Sequence, residues 1–371
     1  MRRTLFVFKG AYPQLGFAEG EDIRMNFASD NWTGAARQVL DAVAAANANI
    51  YPAYGGDELT GAVEARFAEI FDRDVAVFFV ATGGAANGLA LSSLSPRYGM
   101  ILCHEQAHVQ MDECAGPEFF TGGAKLVSVP GSRGKVTPDA IAHTLSVYPE
   151  RPPHGAPAAT LSITQASECG TVYTADEVSA LSACAHGAGM KVHMDGARFA
   201  NAVAALGCAP ADITWRAGVD VLSFGGTKNG CLAAEAVVFF DPSAVSDFAF
   251  LRKRAGHLIS KSWFIAAQFD AYLGDGLWLR LAKRANDAAQ RLSSGLAALD
   301  GVRVWYPTQV NEVFVSFPAG LDEHLRAAGA HFYPWVTPGD PANGTMNRLI
   351  CSFLTTDAEI DAFIDLVRAQ I

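Results

Sequence analysis

Two short stretches hold residues suited to chemistry at a carbonyl carbon. In "VLSFGGTKNG" a lone lysine, Lys228, follows an apolar run and is flanked by Gly225, Gly226 and Gly230. A lysine in a small-residue turn at the carboxyl end of a strand is placed to form a Schiff base. The plainer alternative is a solvated surface lysine, since most lysines are exposed. In "VHMDGARFANA", Asp195 closes a second apolar run and Arg198 follows three residues later.

A third stretch, "VATGGAANGLAL", reads as strand, glycine pair and helix start. Gly83 and Gly84 let the backbone approach an anion, and the unsatisfied N–H groups of the following helix face it. An amine, an acid and an anion seat are the three things pyridoxal phosphate asks of a protein: a lysine for its aldehyde, a carboxylate that keeps its pyridine nitrogen protonated, and a turn for its phosphate. A glycine pair alone is an ordinary turn. Strand-GG-helix, then D-G-A-R, then G-T-K, in that order, is far more specific.

A competing signal is "HEQAH", His104 to His108, which spells the H-E-x-x-H pattern of zinc proteases. That chemistry needs both histidines on one face of a single helix. Here His104 directly follows the strand-like "MILC", so a helix can begin only near Glu105, and no third histidine follows at the expected spacing. No metal site is expected.

The elements that must position these residues can be read from periodicity. Short apolar runs at 75–80, 100–103, 125–130, 159–164, 191–195, 219–224 and 233–240 have the length of buried parallel strands. Helical stretches such as "GAANGLALSSL" and the glycine-closed "ADEVSALSACAHGAG" alternate with them. The fold class expected is α/β: a mostly parallel seven-stranded sheet with helices on both faces. Beyond Asp241 the pattern changes to long amphipathic helices, "SDFAFLRKRAGHL" and "GLWLRLAKRANDAAQRLSSGLAAL", with two strand candidates, "EVFVSF" and "NRLICSF". The organisation expected is an N-terminal arm (1–30), a large domain (31–250) and a smaller α+β domain (251–371).

Composition narrows the function classes. The chain has 371 residues, 50% hydrophobic and 18% charged, with a net charge of -10. An acidic chain whose basic residues gather only as "RKR" at Arg252 to Arg254 lacks a phosphate-binding surface, so no nucleic-acid partner is expected; the triplet reads as a solvated helix face. No apolar stretch approaches the roughly 18 to 20 residues a membrane helix requires. Seven scattered cysteines without a C-x-x-C pair suit a reducing compartment. A cytoplasmic location is expected.

Taken together, "FASDN", "PAYGGD", "ATGGAANGLAL", "QAHVQMDECAGP", "SITQASECGTVYT", "HMDGARFANA", "SFGGTKNG" and "NRLICSF" resemble the low-specificity L-threonine aldolases, a group of β-eliminating-lyase relatives with the aspartate-aminotransferase-like fold, pyridoxal-phosphate fold type I. The resemblance covers nearly the whole chain. It implies that Lys228 is the Schiff-base lysine, that Asp195 faces the pyridine nitrogen, that Arg198 lies near the ring oxygen, and that Gly83 and Gly84 hold the phosphate. It also implies that His108 stacks on the ring, and that Arg348 and Ser29 bind the carboxylate of a small amino-acid substrate. Tyr54 is implied to reach the site of a neighbouring subunit in a homodimer or homotetramer. Many relatives carry a histidine where "ASECG" places Glu168, so His108, Glu168 and a water are the candidates for the base. The activity implied is retro-aldol cleavage of a β-hydroxy amino acid; β-elimination, or a non-catalytic binding protein of the same fold, are the alternatives.

Overall fold

The computed structural model describes residues 25–245, 247–335 and 346–371. Most of the expected N-terminal arm therefore lies outside the described residues. Every apolar run read as a large-sheet strand forms one: β1 (Ala76–Val80), β2 (Met100–His104), β3 (Lys125–Val129), β4 (Ala158–Thr164), β5 (Lys191–Gly196), β6 (Val221–Gly225) and β7 (Glu235–Phe239). Their order is β1-β7-β6-β5-β4-β2-β3. Strands β2 to β6 are parallel, while β7 runs against both β1 and β6. Consequently β1 points the same way as β6, and the carboxyl ends of β1 to β6 share one edge. All residues of β2, β6 and β7 are buried, which is why their sequences are continuously apolar instead of alternating.

Helix boundaries follow their caps. The helix Gly83–Leu94 starts just after β1, where the Thr82 side chain accepts from Ala85 N. A reciprocal Thr174–Glu177 capping box opens the helix Ala175–Gly187.

Three expectations need correction. The helix after β2 starts at His108 (His108–Met111) and not near Glu105, because the Glu105 N–H still bonds Val129 O of the adjacent strand at 3.2 Å. The first helix of the later region spans only Phe248–Arg254; Gly256 takes a left-handed φ of 75° and the chain turns back, His257 N bonding Arg252 O. Within "RKR" only Lys253 and Arg254 are exposed. Arg252 turns inward, its guanidinium 5.3 Å from the Phe78 ring.

A second sheet, antiparallel throughout, comprises β8 (Arg303–Val304), β9 (Glu312–Ser316), β10 (Tyr333–Pro334) and β11 (Met346–Ile350) in the order β10-β11-β9-β8. Two apolar cores correspond to the two sheets. The main one is rich in phenylalanine: Phe67 sits 5.2 Å from Phe224 and 5.4 Å from Phe269, both edge-on, a favourable aromatic geometry. The second gathers Phe27, Leu292, Val313, Leu349 and Phe363. The helix Leu277–Ala297 belongs to both, giving Trp278 and Ala282 to the first and Ala289, Leu292 and Leu296 to the second. Phe27 is held in the second sheet's environment by backbone bonds to His331 and Ile350, so the segment after it crosses from the small sheet to the large one. Among the described residues no helix is long and apolar enough to cross a membrane.

Candidate active site

The carboxyl edge of the sheet collects the residues singled out by type. Strands β5 and β6 are neighbours, with Asp195 opposite Ser223. Two residues beyond β6 the chain forms a short 3-10 turn, Thr227–Asn229, that carries Lys228. Its base is locked: the Asn229 amide donates to Tyr272 Oη at 2.7 Å and to Trp278 O at 2.8 Å. A Cβ at Gly225 would stand 2.6 Å from Ala197 O, so only glycine lets the ends of β5 and β6 come this close. The Lys228 amine forms no hydrogen bond or ion pair with any described residue, yet its charge acts on Asp30, His108 and Glu235. Glu235, buried at the start of β7, is pushed up to about 7 by burial, against the pull of Thr227 and Lys228.

Asp195 is 3% exposed and has no cationic partner among the described residues. Its Oδ1 accepts from Ala197 N at 3.0 Å and its Oδ2 from the Asn87 amide at 2.8 Å. The same amide donates to Glu113 Oε1 at 2.8 Å, and that oxygen meets His108 Nδ1 at 2.9 Å. A chain of polar contacts thus runs from His108 through Glu113 and Asn87 to Asp195. The Glu113 bond raises the His108 pKa above the ordinary imidazole value, with burial opposing it; burial in turn raises Glu113. With Nδ1 engaged, Nε2 is the nitrogen left to face the site.

Arg198, at the head of the helix Phe199–Leu206, is buried in a second network. Its Nε and Nη2 grip both oxygens of Asp30, at 2.8 and 3.2 Å, and its Nη1 lies 3.3 Å from Glu312 Oε1. Such a bidentate pair is strong and directional. Burial pushes Asp30 up, but Arg198 and then Lys228 more than offset it and hold its carboxyl below the usual range. Ser29 precedes Asp30 and caps its short turn, accepting from Asn31 N. Arg348, on β11, stacks on Trp335 at 4.5 Å and keeps a buried Nε–H without a partner. Ala28, Trp32, Asp112, Trp335 and Arg348 line one cavity of about 860 Å³, which brings the segment around Ser29 and the turn after His108 to the same space as the arginine.

Of the residues expected at the site, Lys228, Asp195, His108, Arg198 and Glu168 are linked by mutual electrostatic influence. Tyr54 is not among them: it is 52% exposed, its ring lies under Lys253 and its N–H bonds Ser260 O. His104 and His108 share no helix face, since His104 ends β2. The former is a buried histidine, lowered to about 4 by burial, whose Nδ1 accepts from Gln106 N. Residue types and spacing did not single out Asp30, Asn87, Glu113 or Glu312. The available signals were slight: an asparagine in an apolar helix and a glutamate heading an apolar strand.

These observations fit pyridoxal phosphate. A buried carboxylate without a counter-cation suits a protonated ring nitrogen, an unpartnered lysine suits an aldehyde, and the N–H groups of Gly83 and Gly84 donate to no described residue, as a phosphate seat requires. With the sheet order and the small second sheet, they define a pyridoxal-phosphate enzyme of fold type I. Comparison with known proteins narrows the class. The Beta-eliminating lyase family model matches residues 26–319. The sequence is 42% identical over 348 residues, 94% of this chain and 98% of the relative, to a low specificity L-threonine aldolase of Pseudomonas sp. (strain NCIMB 10558). A threonine aldolase structure from Leishmania major superposes with a TM-score of 0.86 at 25% identity, covering 93% of this chain and 99% of that one. Oryza sativa TDC, solved with pyridoxal phosphate and tryptamine, shares the fold at a TM-score of 0.70 and 13% identity, covering 93% and 82%. The chain belongs to the beta-eliminating lyase family.

Proposed function

We propose that this lyase cleaves an L-β-hydroxy-α-amino acid of the threonine, allo-threonine or phenylserine type to glycine and an aldehyde. What supports the reading is an unpartnered amine (Lys228) in the turn after β6, a buried acid without a counter-cation (Asp195) on neighbouring β5, and an arginine with an unfilled donor (Arg348), in a chain 42% identical to a low specificity L-threonine aldolase. Lys228 would hold the cofactor's aldehyde carbon, Asp195 its ring nitrogen and the Gly83–Gly84 turn its phosphate; His108 would cover the ring. Arg198 stands beside it, fixed by Asp30. When bound, pyridoxal phosphate supplies an electron sink for the carbanion left as the bond between the α and β carbons breaks.

The rest falls to side chains. Arg348, with the Ser29 hydroxyl, grips the substrate carboxylate and fixes the orientation of the amino acid. The β-hydroxyl proton passes to a base, for which His108 Nε2 and the half-buried Glu168 are the groups at hand. Glu113 steadies His108 for that task. Tyr54, turned away from its own Lys228, would complete the site of a second copy in a cytoplasmic homodimer or homotetramer.

The test joins spectroscopy to product analysis. The purified holoenzyme is expected to absorb in the visible, to lose that band in Lys228→Ala, and to release acetaldehyde and glycine from L-threonine. Pyruvate and ammonia instead would move the assignment to β-elimination. A visible band or turnover surviving in Lys228→Ala would reject the lysine's role.

A further inference from the structure

Glu312 is a charged group that the reaction above leaves without a part. It heads β9 with its side chain fully buried, and neither carboxylate oxygen accepts a hydrogen bond. Oε1 stands 3.3 Å from Arg198 Nη1 and 3.9 Å from Arg348 Nη1. A buried carboxylate is strongly disfavoured unless cations or donors answer it. Arg198 already answers Asp30 with two donors, at 2.8 and 3.2 Å. Arg348, by contrast, has an unpartnered Nε–H and rests on Trp335. It is the cation least committed elsewhere. The charges that face Glu312 come from four places: Arg198 on its helix, Arg348 on β11, Glu168 in the turn after β4, and Asp30 in the amino-terminal segment. With Glu312 itself that makes three carboxylates to two arginines, so one more anion at Arg348 deepens an existing excess of negative charge. Asp30 is tied by three hydrogen bonds, two from Arg198 and one from Asn311, and Glu168 is partly solvated, whereas Glu312 has neither protection.

We propose that Glu312 is the resident counter-ion of Arg348, that an incoming substrate carboxylate takes Arg348 over from it, and that Glu312 binds one proton from solvent as this happens. The inference rests on the reading of Arg348 as the carboxylate's partner. Burial already pushes the Glu312 carboxyl above its ordinary range, with Arg198 and Arg348 pulling it back. A second anion beside it disfavours the charged carboxylate further, so binding should draw a proton onto Glu312 over the pH range between its free and bound values. Glu312 thereby makes carboxylate binding weaken as pH rises. It acts as a positioning residue, not a catalytic one.

The experiment is calorimetric titration of the holoenzyme with glycolate, which has the carboxylate but no amine to compete with Lys228 for the cofactor's aldehyde carbon, in buffers of different ionisation enthalpy from pH 5 to 8. Wild type is expected to take up protons and to bind about tenfold or more weaker at the alkaline end than at the acid end. Glu312→Gln, or Glu312→Met of similar volume if the first does not fold, is expected to bind without uptake and with a flat pH profile. Zero uptake by wild type, or uptake undiminished in both variants, overturns the proposal. Arg348→Gln separates the two readings. If it binds glycolate as tightly as wild type, the assignment of Arg348 falls and this inference with it; if it loses binding while wild type shows no uptake, only the role of Glu312 falls.

Discussion

At the scale of single residues, the site is governed by side chains that touch other side chains. His108 is set by Glu113, and Glu113 is tied to Asp195 through the single Asn87 amide. Because the Glu113 contact holds the His108 pKa above its ordinary value, the imidazolium contact stabilises the fold fully below about 6.5, the unfolded value, and is lost as pH rises through the higher folded one. Glu113→Gln should bring the His108 pKa down, visible by NMR titration, and flatten the decline of stability on the alkaline side of that value. An unchanged His108 titration would show that Glu113 does not tune it. Asn87→Ala should leave both carboxylates short of a donor and cost about 1–3 kcal/mol by urea unfolding, because each is buried.

At the scale of elements, what matters is how closely the ends of β5 and β6 approach. Asp195 lies on β5 and Lys228 in the turn after β6, and the gap between them is set where Gly225 passes the backbone of Ala197. Below Asp195 on the same face of β5, His193 bonds Ser162 and Ser223 on the two flanking strands, and burial lowers it to about 4. This neutral rung fixes the three strands without adding charge under the site. Gly225→Ala should force the strand ends apart, cost about 1–3 kcal/mol of stability, and weaken cofactor retention out of proportion to that loss. Dialysis of the holoenzyme followed by its visible spectrum would measure the retention; a variant that keeps cofactor like wild type would show that the close approach is dispensable.

At the scale of the molecule, two sheets with separate cores are tied by the helix Leu277–Ala297 and by the segment running from Phe27 to Asp30. That segment hands Asp30 to Arg198, while β9 and β11 bring Glu312 and Arg348 to the same space from the small sheet. Tyr54 points elsewhere. Its neighbour Lys253 shares a helix face with Phe250, which is 71% exposed. Mixing Lys228→Ala with Tyr54→Ala, each nearly inactive alone, should restore activity to about a quarter of wild type if subunits pair at random in two-fold dimers. No recovery after subunit exchange, confirmed by mass, would place Tyr54's role within its own chain.

The sequence by itself determined the seven large-sheet strands, because apolar runs of strand length flanked by turn residues have few other ways to be buried. It also singled out Lys228, Asp195 and the glycine pair as candidates, since a strand end followed by small residues and one reactive side chain is a local pattern. Helix limits at Glu105 and His257 escaped it, as a hydrogen bond from β3 and a left-handed glycine decided them. Only the tertiary structure decided the partners of those reactive groups. Asp30 and Arg198 are 168 residues apart, and Asn87 and Asp195 are 108 apart. A charge buried between distant segments leaves no periodicity in the chain: its cost and its compensation appear only once folding has brought them together.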